Sequence, residues 1–318
     1  MAATVRKVFP NAAVLFLGTR YTKAVLESCS NIDEYVEFEE AAADPSLLAA
    51  KKIDVLLNPG LDVRLGMAAK AAGIPIRIGN LRRPGSVRWA NRFIYQGSRN
   101  VPLHAANMNL RYLRPLGIRV EYPLDQLAHL LCLRNLSPLG DELASRIDPS
   151  RFNLVVHPKS NKNGREWPAA YFNRLLDLLP KDRFRILLTG RAEERAEVLG
   201  ECPGLLERSD VVDLMGRLEL RQFLSLLKSV DGFIGSGTGP LHIAAAFGKR
   251  VLGLFPPRDR INTQRWQPLG LQAETISLPT RCEPGPGRCP RFHSGGPCPC
   301  MTGIDPANVA QRLRAWIA

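Results

Sequence analysis

Short apolar runs alternate with stretches of helical spacing along almost the whole chain. The first half has apolar runs at residues 12–18, 35–38, 53–58 and 76–79, and helical stretches at 21–29, 43–51, 62–72 and 104–116. The second half has runs at 153–157, 185–189, 211–214, 232–235 and 251–255, with helical stretches at 168–179, 192–201, 219–229 and 239–248. Continuous Val, Ile and Leu runs separated by helices are typical of parallel sheets buried on both faces. The pattern therefore predicts an α/β fold.

This pattern falls into two parts, separated by a region from 117 to 150 that is rich in Pro, Leu and short polar turns. The 318 residues are enough for two domains with a core each. We therefore predict two Rossmann-like domains, at 1–150 and 151–318. Ligands of such sheets bind at the carboxyl ends of the strands. Four loops that follow strands of the second domain should thus converge on one wall of a ligand-binding cleft: 157–166, 189–194, 215–218 and 235–242.

One glycine-rich loop carries the clearest chemistry in the chain. Residues 235–242 read GSGTGPLH, follow the apolar run at 232–234, and lead into a helix closed by Gly248. Glycines let a ligand approach the main chain, and the N–H groups and dipole at a helix N-terminus favour an anion. Pro240 suits the first helical turn. The loop therefore predicts phosphate binding, and the alternative is a tight strand-to-helix turn without a ligand.

Composition narrows the class of protein. The hydrophobic fraction of 45% is that of a globular chain, and no apolar run approaches the roughly 20 residues of a membrane span. Residues 1–11 carry charges and no long apolar core, so they do not resemble a secretion signal, and we expect a cytoplasmic location. The net charge of +13 favours partners that are phosphorylated or otherwise anionic.

The densest basic segment spans residues 77–99. Its six arginines are interleaved with Trp89, Phe93 and Tyr95, and four of them are candidate contacts to a phosphorylated lipid or a membrane surface: Arg82, Arg83, Arg88 and Arg92. This mixture suits a phosphorylated glycolipid on an anionic bilayer. A solvated loop face and an RNA surface are the alternatives, although the chain contains no recognisable RNA-binding motif. We therefore expect no nucleic-acid partner.

Four of the seven cysteines fall within 19 residues, at Cys282, Cys289, Cys298 and Cys300. Such a cluster in a cytosolic chain suggests a metal site before a disulfide. The spacings do not match a paired C-x₂-C zinc site, although His293 could add a ligand. A reduced loop rich in Pro and Gly is therefore preferred, and no metal or cofactor is expected.

Three segments together resemble one enzyme family. Residues 235–257 (GSGTGPLHIAAAFGKRVLGLFPP) resemble the nucleotide-sugar-binding segment of glycosyltransferase family 9, the bacterial ADP-heptose heptosyltransferases. Residues 155–172 (VVHPKSNKNGREWPAAYF) resemble the opening of its C-terminal domain, and residues 298–306 resemble its tail. The resemblance implies a GT-B fold, two Rossmann-like domains facing a cleft. It also implies a last helix that can pack back on the N-terminal domain.

The resemblance also assigns candidate nucleotide-sugar contacts. Thr238, Gly239 and His242 match positions in the glycine loop, with Gly237 beside them. Lys159, Ser160 and Arg165 match the loop that reaches the diphosphate, where Arg165 would stabilise the leaving group. An acidic residue at Glu193 or Glu194 would bind the ribose, and the turn at Leu218 would line the base pocket. The alternatives are a bracing role for His242, a solvated basic loop, and acidic residues that only complement the helix dipole.

Two departures from the family pattern bear on activity. The family often has Asp where this chain has Gly237, which puts the identity of the sugar in doubt. Family members also begin with a strand and a Gly-Asp loop whose Asp is the expected general base, whereas this chain begins near the end of the first helix. We expect that the natural protein starts further upstream. Asp62 is a weak substitute base.

The resemblance implies an inverting transferase that moves a heptose from ADP-heptose onto a lipopolysaccharide core or related glycolipid. The N-terminal domain would hold the acceptor, with peripheral contact to the inner face of the cytoplasmic membrane. One alternative is another nucleotide sugar as donor. A second is a degenerate member that binds nucleotide or glycolipid without turnover.

Overall fold

The computed structural model describes residues 1–60, 62–97, 103–160, 165–257, 262–279 and 298–318. The chain forms two compact units, Met1–Asn135 and Leu136–Ala318. The boundary between the units lies before residue 150, the position predicted from the sequence, because the segment 136–150 packs on the second unit. The Ser225 hydroxyl donates to the Ser137 carbonyl at 2.8 Å, and Leu143 is buried in a cluster with Phe233.

The first unit contains five short strands and seven α-helices over its described residues. The strands are β1 Leu15–Gly18, β2 Glu34–Glu37, β3 Val55–Leu57, β4 Ile76–Asn80 and β5 Arg92–Ile94. The helices are α1 Ala2–Val8, α2 Lys23–Glu27, α3 Phe38–Ala43, α4 Pro45–Ala50, α5 Val63–Ala71, α6 Ala105–Leu110 and α7 Leu124–His129. Short 3₁₀ helices lie at Arg20–Thr22, Pro84–Arg88 and Arg111–Leu116.

All strand pairs of the first unit are parallel, but they form two separate sheets, β1-β2 and β3-β4-β5. The doubly wound order 3-2-1-4-5-6 has a first strand between two such groups. Within the described ranges, no strand pairs with the second edge of β1 or of β3. Leu15 and Leu17 still share a hydrophobic cluster with Leu56 and Trp89.

The helix predicted at 104–116 is α-helical only over Ala105–Leu110 and continues as a 3₁₀ helix over Arg111–Leu116. Pro115 has no N–H to donate and disfavours the α conformation at the preceding residue. Gly117 then ends the element with φ of 82°. The prediction was therefore right about the extent of the element and wrong about the conformation of its second half.

The second unit contains six strands and nine α-helices in the described ranges. The strands are β6 Phe152–His157, β7 Phe184–Leu188, β8 Val211–Asp213, β9 Gly232–Ser236, β10 Arg250–Leu254 and β11 Ala273–Ile276. The helices are α8 Asp141–Ala144, α9 Ala169–Leu178, α10 Ala192–Glu201, α11 Pro203–Leu206, α12 Leu220–Ser229, α13 Gly239–Ala246, α14 Thr263–Trp266, α15 Pro299–Thr302 and α16 Pro306–Arg314.

These six strands form one parallel sheet in the order β11-β10-β9-β6-β7-β8. The predicted α/β fold with parallel sheets is confirmed. Successive connections run outward from β6 in both directions, so the strand order reverses between β6 and β9. In doubly wound sheets a ligand binds outside the carboxyl ends of the strands at this reversal.

Helices cover both faces of the sheet, which explains the continuous apolar runs. Leu154 and Ile234 face one cluster with α9 and α16, whereas Val155 and Phe233 face another with α12 and α13. The last helix, α16, packs on α9, and the Arg314 Nε donates to the Leu178 carbonyl at 3.2 Å. These contacts join α16 to α9 of its own unit.

Candidate functional site

The glycine loop joins β9 to α13 as the sequence predicts. β9 ends at Ser236, Thr238 is the N-cap with extended backbone (φ −124°, ψ 168°), and Pro240 lies in the first helical turn. Gly248 follows the helix with φ of 73°, a left-handed conformation that glycine adopts without strain. The first backbone N–H groups of α13 therefore lie beside the sheet reversal, where an anion would interact favourably with them.

Two hydroxyl groups in this loop are buried without a hydrogen-bond partner. Ser236 is 1% exposed. Its Oγ and the Thr238 Oγ1 accept and donate no hydrogen bond within the described parts of the chain. An unsatisfied buried group costs about 1–3 kcal/mol, so native proteins rarely retain one without a reason. A bound polar ligand at the start of α13 would supply that reason.

His157 ends β6 and lies opposite Gly235 of β9. A Cβ on Gly235 would lie 2.8 Å from the His157 carbonyl oxygen, so the close approach of the two strands requires glycine. The ring Nδ1 is 3.0 Å from the Thr189 Oγ1 and the ring stacks on Phe233. Burial lowers the pKa of His157 from 6.5 to about 4, against the opposing charge of Glu194. The imidazole is therefore neutral at physiological pH.

The residues after β6 form a cluster of charges. Lys159 is 3% exposed and pairs with three carboxylates: Glu166 at 3.3 Å, Glu197 at 3.7 Å and Glu201. Burial alone would lower the pKa of Lys159, but the Glu201 and Glu166 carboxylates, with Glu201 first, raise it. Lys159 thus remains charged and is tied to α10, and its expected phosphate contact would have to compete with these pairs.

Ser160 and Arg165 flank residues 161–164, which lie outside the described part of the chain. The Ser160 N–H and hydroxyl both donate to the Glu166 Oε1, at 2.7 and 2.8 Å. Arg165 is buried at 6% exposure. Trp167 is buried against Phe172.

The loops after β7 and β8 meet closely. The Gly216 N–H donates to the Gly190 carbonyl at 2.8 Å. A Cβ on Gly216, whose φ is 72°, would lie 2.9 Å from the Ala192 Cα. Both the conformation and the close approach therefore require glycine there. Leu218 is half-buried beyond this turn.

The two acidic candidates of α10 differ in their surroundings. The Glu194 Oε2 accepts the Arg191 N–H at 2.8 Å, and Glu194 is 3% exposed. Glu193 is exposed in the first turn. Glu194 therefore caps the helix, and Glu193 is the better candidate for a ribose contact. His242 lies partly exposed in the first turn of α13.

Sequence reasoning missed four residues that the structure brings to this edge: His157, Glu166, Thr189 and Ser236. All four lie within the loops that the sequence predicts to converge, which was the available indication. Their roles depend on contacts across the sheet that the sequence does not show.

In the first unit, Arg82, Arg83, Arg88 and Arg92 are all exposed. Exposed apolar side chains accompany them: Leu81, Val87 and Tyr95, the last at 74% exposure. The Arg82 guanidinium lies over the Tyr95 ring at 5.7 Å. Arg99 lies outside the described residues.

Asp62 is a helix cap. Its Oδ1 accepts the Leu65 N–H at 3.1 Å, and its Oδ2 pairs with Arg64 at 3.2 Å. Partial burial raises the pKa of Asp62, but the hydrogen bonds from Leu65 and Arg64 outweigh it and hold the pKa below its usual value. A carboxylate with a lowered pKa is a weaker base, so the structure gives no support to Asp62 as the substitute.

Cys298 is buried and Cys300 half-buried, while Cys282, Cys289 and His293 lie outside the described residues. Over the residues that the structure describes, no group of three or more His, Cys, Asp or Glu side chains is arranged to hold a metal ion. In the same ranges, no helix is both long enough and apolar enough to cross a membrane.

Comparison with solved structures identifies the fold. Escherichia coli ADP-heptose lps heptosyltransferase II matches with a TM-score of 0.72 and 19% identity, over 99% of this chain and 92% of that one. E. coli heptosyltransferase WaaC with ADP matches with a TM-score of 0.70 and 15% identity, over 99% and 94%. The predicted GT-B fold class is thereby confirmed.

Comparison with known sequences gives a similar result. Lipopolysaccharide heptosyltransferase 3 of E. coli is 21% identical over 301 residues, which are 88% of this chain and 86% of the relative. Lipooligosaccharide heptosyltransferase 2 of Campylobacter jejuni is 23% identical over 155 residues, 48% of this chain and 47% of that protein.

The family model for glycosyltransferase family 9 (heptosyltransferase) matches residues 68–291. That span includes the sheet reversal, the loop after β6 and the glycine loop. The resemblance inferred from three short segments is confirmed: this chain is a glycosyltransferase and belongs to glycosyltransferase family 9.

Proposed function

We propose that this chain transfers a heptose from ADP-heptose to a lipopolysaccharide core or a related glycolipid, with inversion at the sugar carbon. One observation carries the proposal: the buried hydroxyls of Ser236 and Thr238, which have no partner in the described part of the chain, lie where α13 begins beside the sheet reversal. A diphosphate there would satisfy both hydroxyls and the first N–H groups of the helix.

Each candidate residue has a role that fits its surroundings. Thr238, Gly239 and the start of α13 hold the diphosphate from one side, and Ser160 and Arg165 hold it from the other. His242, in the first turn of α13, contacts the nucleotide sugar. Glu193 binds the ribose hydroxyls, and the turn at Leu218 lines the base pocket. Lys159 and Glu194 support the loop and the helix.

The chemistry follows from where charge develops. As the bond from the sugar carbon to the diphosphate breaks, negative charge accumulates on the leaving nucleoside diphosphate. The permanently charged Arg165 guanidinium and the N-terminus of α13 stabilise that charge. A displacement at the opposite face of the sugar carbon gives inversion. The acceptor hydroxyl must lose a proton to a general base in this step, and the family resemblance places that base on an Asp outside the donor site.

The first unit would hold the acceptor. The exposed arginines of the 82–92 segment suit the phosphate groups of a glycolipid, and Leu81, Val87 and Tyr95 suit an interfacial position. We accordingly propose peripheral contact with the inner face of the cytoplasmic membrane.

A specific observation favours a different donor sugar as the second candidate. Gly237 replaces the acidic residue often found in the family, so one carboxylate contact to the sugar or the loop is lost. In a third proposal, the chain is a family member that binds the nucleotide or the glycolipid but does not catalyse transfer.

A transfer assay separates these proposals. The chain is incubated with a lipopolysaccharide-core acceptor and either ADP-heptose or UDP- and GDP-linked sugars, and mass spectrometry follows the glycosylated acceptor and the released diphosphate. Product from ADP-heptose alone supports the leading proposal, and product from another donor supports the second. Arg165→Ala should reduce turnover at least 100-fold, whereas the exposed Arg174→Ala should not. Absence of product with retained ADP binding would contradict transfer.

A further inference from the structure

The Glu166 carboxylate occupies a set of hydrogen-bond donors at the carboxyl end of β6. The Ser160 N–H reaches its Oε1 at 2.7 Å and the Ser160 hydroxyl at 2.8 Å. The Lys159 ammonium reaches its Oε2 at 3.3 Å. A main-chain N–H, a hydroxyl and a cation therefore converge on one acidic side chain of the same chain.

These three donors are the kinds of group that bind a phosphate oxygen. They follow β6, one of the two strands at the sheet reversal, where a ligand is expected. A carboxylate resembles a phosphate in charge and in its acceptor oxygens. Glu166 therefore offers Ser160 the same kind of acceptor oxygen that a donor phosphate would offer.

The surroundings of Glu166 allow its side chain to leave. Arg165 and Trp167 on either side are buried at 6% and 1% exposure and fix the backbone. The Glu166 side chain itself is 23% exposed. A change of its side-chain torsions would expose the carboxylate to water without moving the main chain. Lys159 would keep its pairs with Glu197 and Glu201, so no buried charge would be left alone.

We propose that Glu166 is an internal competitor of the donor diphosphate: it binds Ser160 when the site is empty and is displaced when a nucleoside diphosphate enters. The inference rests on the proposed function, because it takes Ser160 as a phosphate contact. It adds a residue that sets donor affinity, since every binding event must first break the contacts between Glu166 and Ser160.

Calorimetric titration of the full chain with ADP tests this competition. Glu166→Gln keeps the shape of the side chain but removes its charge, and should tighten ADP binding roughly five- to tenfold, because hydrogen bonds to charged groups are the stronger ones. Glu166→Asp shortens the side chain by one methylene, which moves the charged carboxylate away from Ser160, and should also tighten ADP binding. This second variant keeps the test valid if the first does not fold, as judged by thermal unfolding.

Glu197→Gln is the matched control, because Glu197 pairs with Lys159 and no described contact joins it to Ser160. It should change ADP affinity less than twofold. If Glu166→Gln and Glu197→Gln tightened ADP binding equally, the cause would be a general loss of negative charge, and the inference would be overturned. Unchanged or weaker binding in both Glu166 variants would also overturn it, while leaving the proposed function intact if wild type binds ADP. Failure of wild type and all variants to bind ADP, UDP or GDP would overturn both.

Discussion

A Cβ on Gly237 would lie 2.4 Å from the Cε1 of Phe255, closer than any real contact. Phe255 follows β10 and is 2% exposed, so its ring has little freedom to move. The ring thus fills the space that any side chain at position 237 would need. This explains in physical terms why the loop carries glycine where the family often carries an acid.

The Gly237–Phe255 contact predicts coupled effects on stability. Gly237→Ala should lower the free energy of unfolding by about 1–3 kcal/mol, because it overpacks a filled space. Phe255→Leu makes room, so the double variant should lose less than the two single losses added together. Urea unfolding of the four proteins measures the coupling. Strict additivity would show that the ring does not restrict position 237.

Ser236→Ala should separate ligand binding from stability. The substitution removes a buried hydroxyl without a partner in the described structure, so the free energy of unfolding should stay constant or rise by up to about 1 kcal/mol. ADP affinity should nevertheless fall roughly five- to tenfold, if the hydroxyl contacts the diphosphate.

Ser225→Ala provides the opposite control. The Ser225 hydroxyl donates to the Ser137 carbonyl at 2.8 Å, so its loss should lower stability by about 1 kcal/mol and leave ADP affinity unchanged. A Ser236→Ala protein that is destabilised but binds ADP normally would show that the hydroxyl serves the fold and not a ligand.

His157 predicts a dependence of stability on pH. Its pKa is about 4 in the folded protein, lowered by burial from the ordinary 6.5. Between these values the unfolded chain binds a proton that the folded chain does not. The stabilisation is therefore complete above pH 6.5 and is lost as pH falls towards 4, by about 3 kcal/mol in total. His157→Gln should flatten the unfolding free energy over this window. An equally steep profile in that variant would assign the dependence to other groups.

The arginine patch predicts binding to anionic membranes. Replacement of Arg82 and Arg88 by Ser should weaken association with phosphatidylglycerol-containing vesicles by about 2 kcal/mol, at about 1 kcal/mol for each residue. Replacement of the exposed Arg174 and Arg312 by Ser removes the same charge from the second unit. Co-sedimentation at constant ionic strength compares them. Equal weakening in both double variants would mean that net charge, and not this patch, drives association.

The sequence predicted the second unit well because its strands are buried on both faces and its helices have clear ends. The helix predicted at 192–201 is observed as Ala192–Glu201, and the glycine loop joins its strand and helix as expected. The strand β5, Arg92–Ile94, was missed because Arg92 and Phe93 are both exposed. Only Ile94 faces the core, so no apolar run marks it.

The candidate site was predictable only in part. Gly237, Thr238 and Gly239 could be placed because a local motif, a strand followed by glycines and a helix, defines them. The pairing of Lys159 with Glu197 and Glu201 depends on how a loop packs on a helix about forty residues away. No local pattern encodes such contacts, so the support role of Lys159 emerged only from the structure.

The most direct test of the central claim is calorimetric titration of the purified chain with ADP, UDP and GDP, with and without Mg²⁺. The account predicts selective binding of ADP that does not require Mg²⁺, at one site per chain, and weaker binding in Arg165→Ala. Selective binding of UDP or GDP would keep the site and change the donor. A folded protein that binds none of the three would contradict the assignment of a nucleoside-diphosphate site to the start of α13.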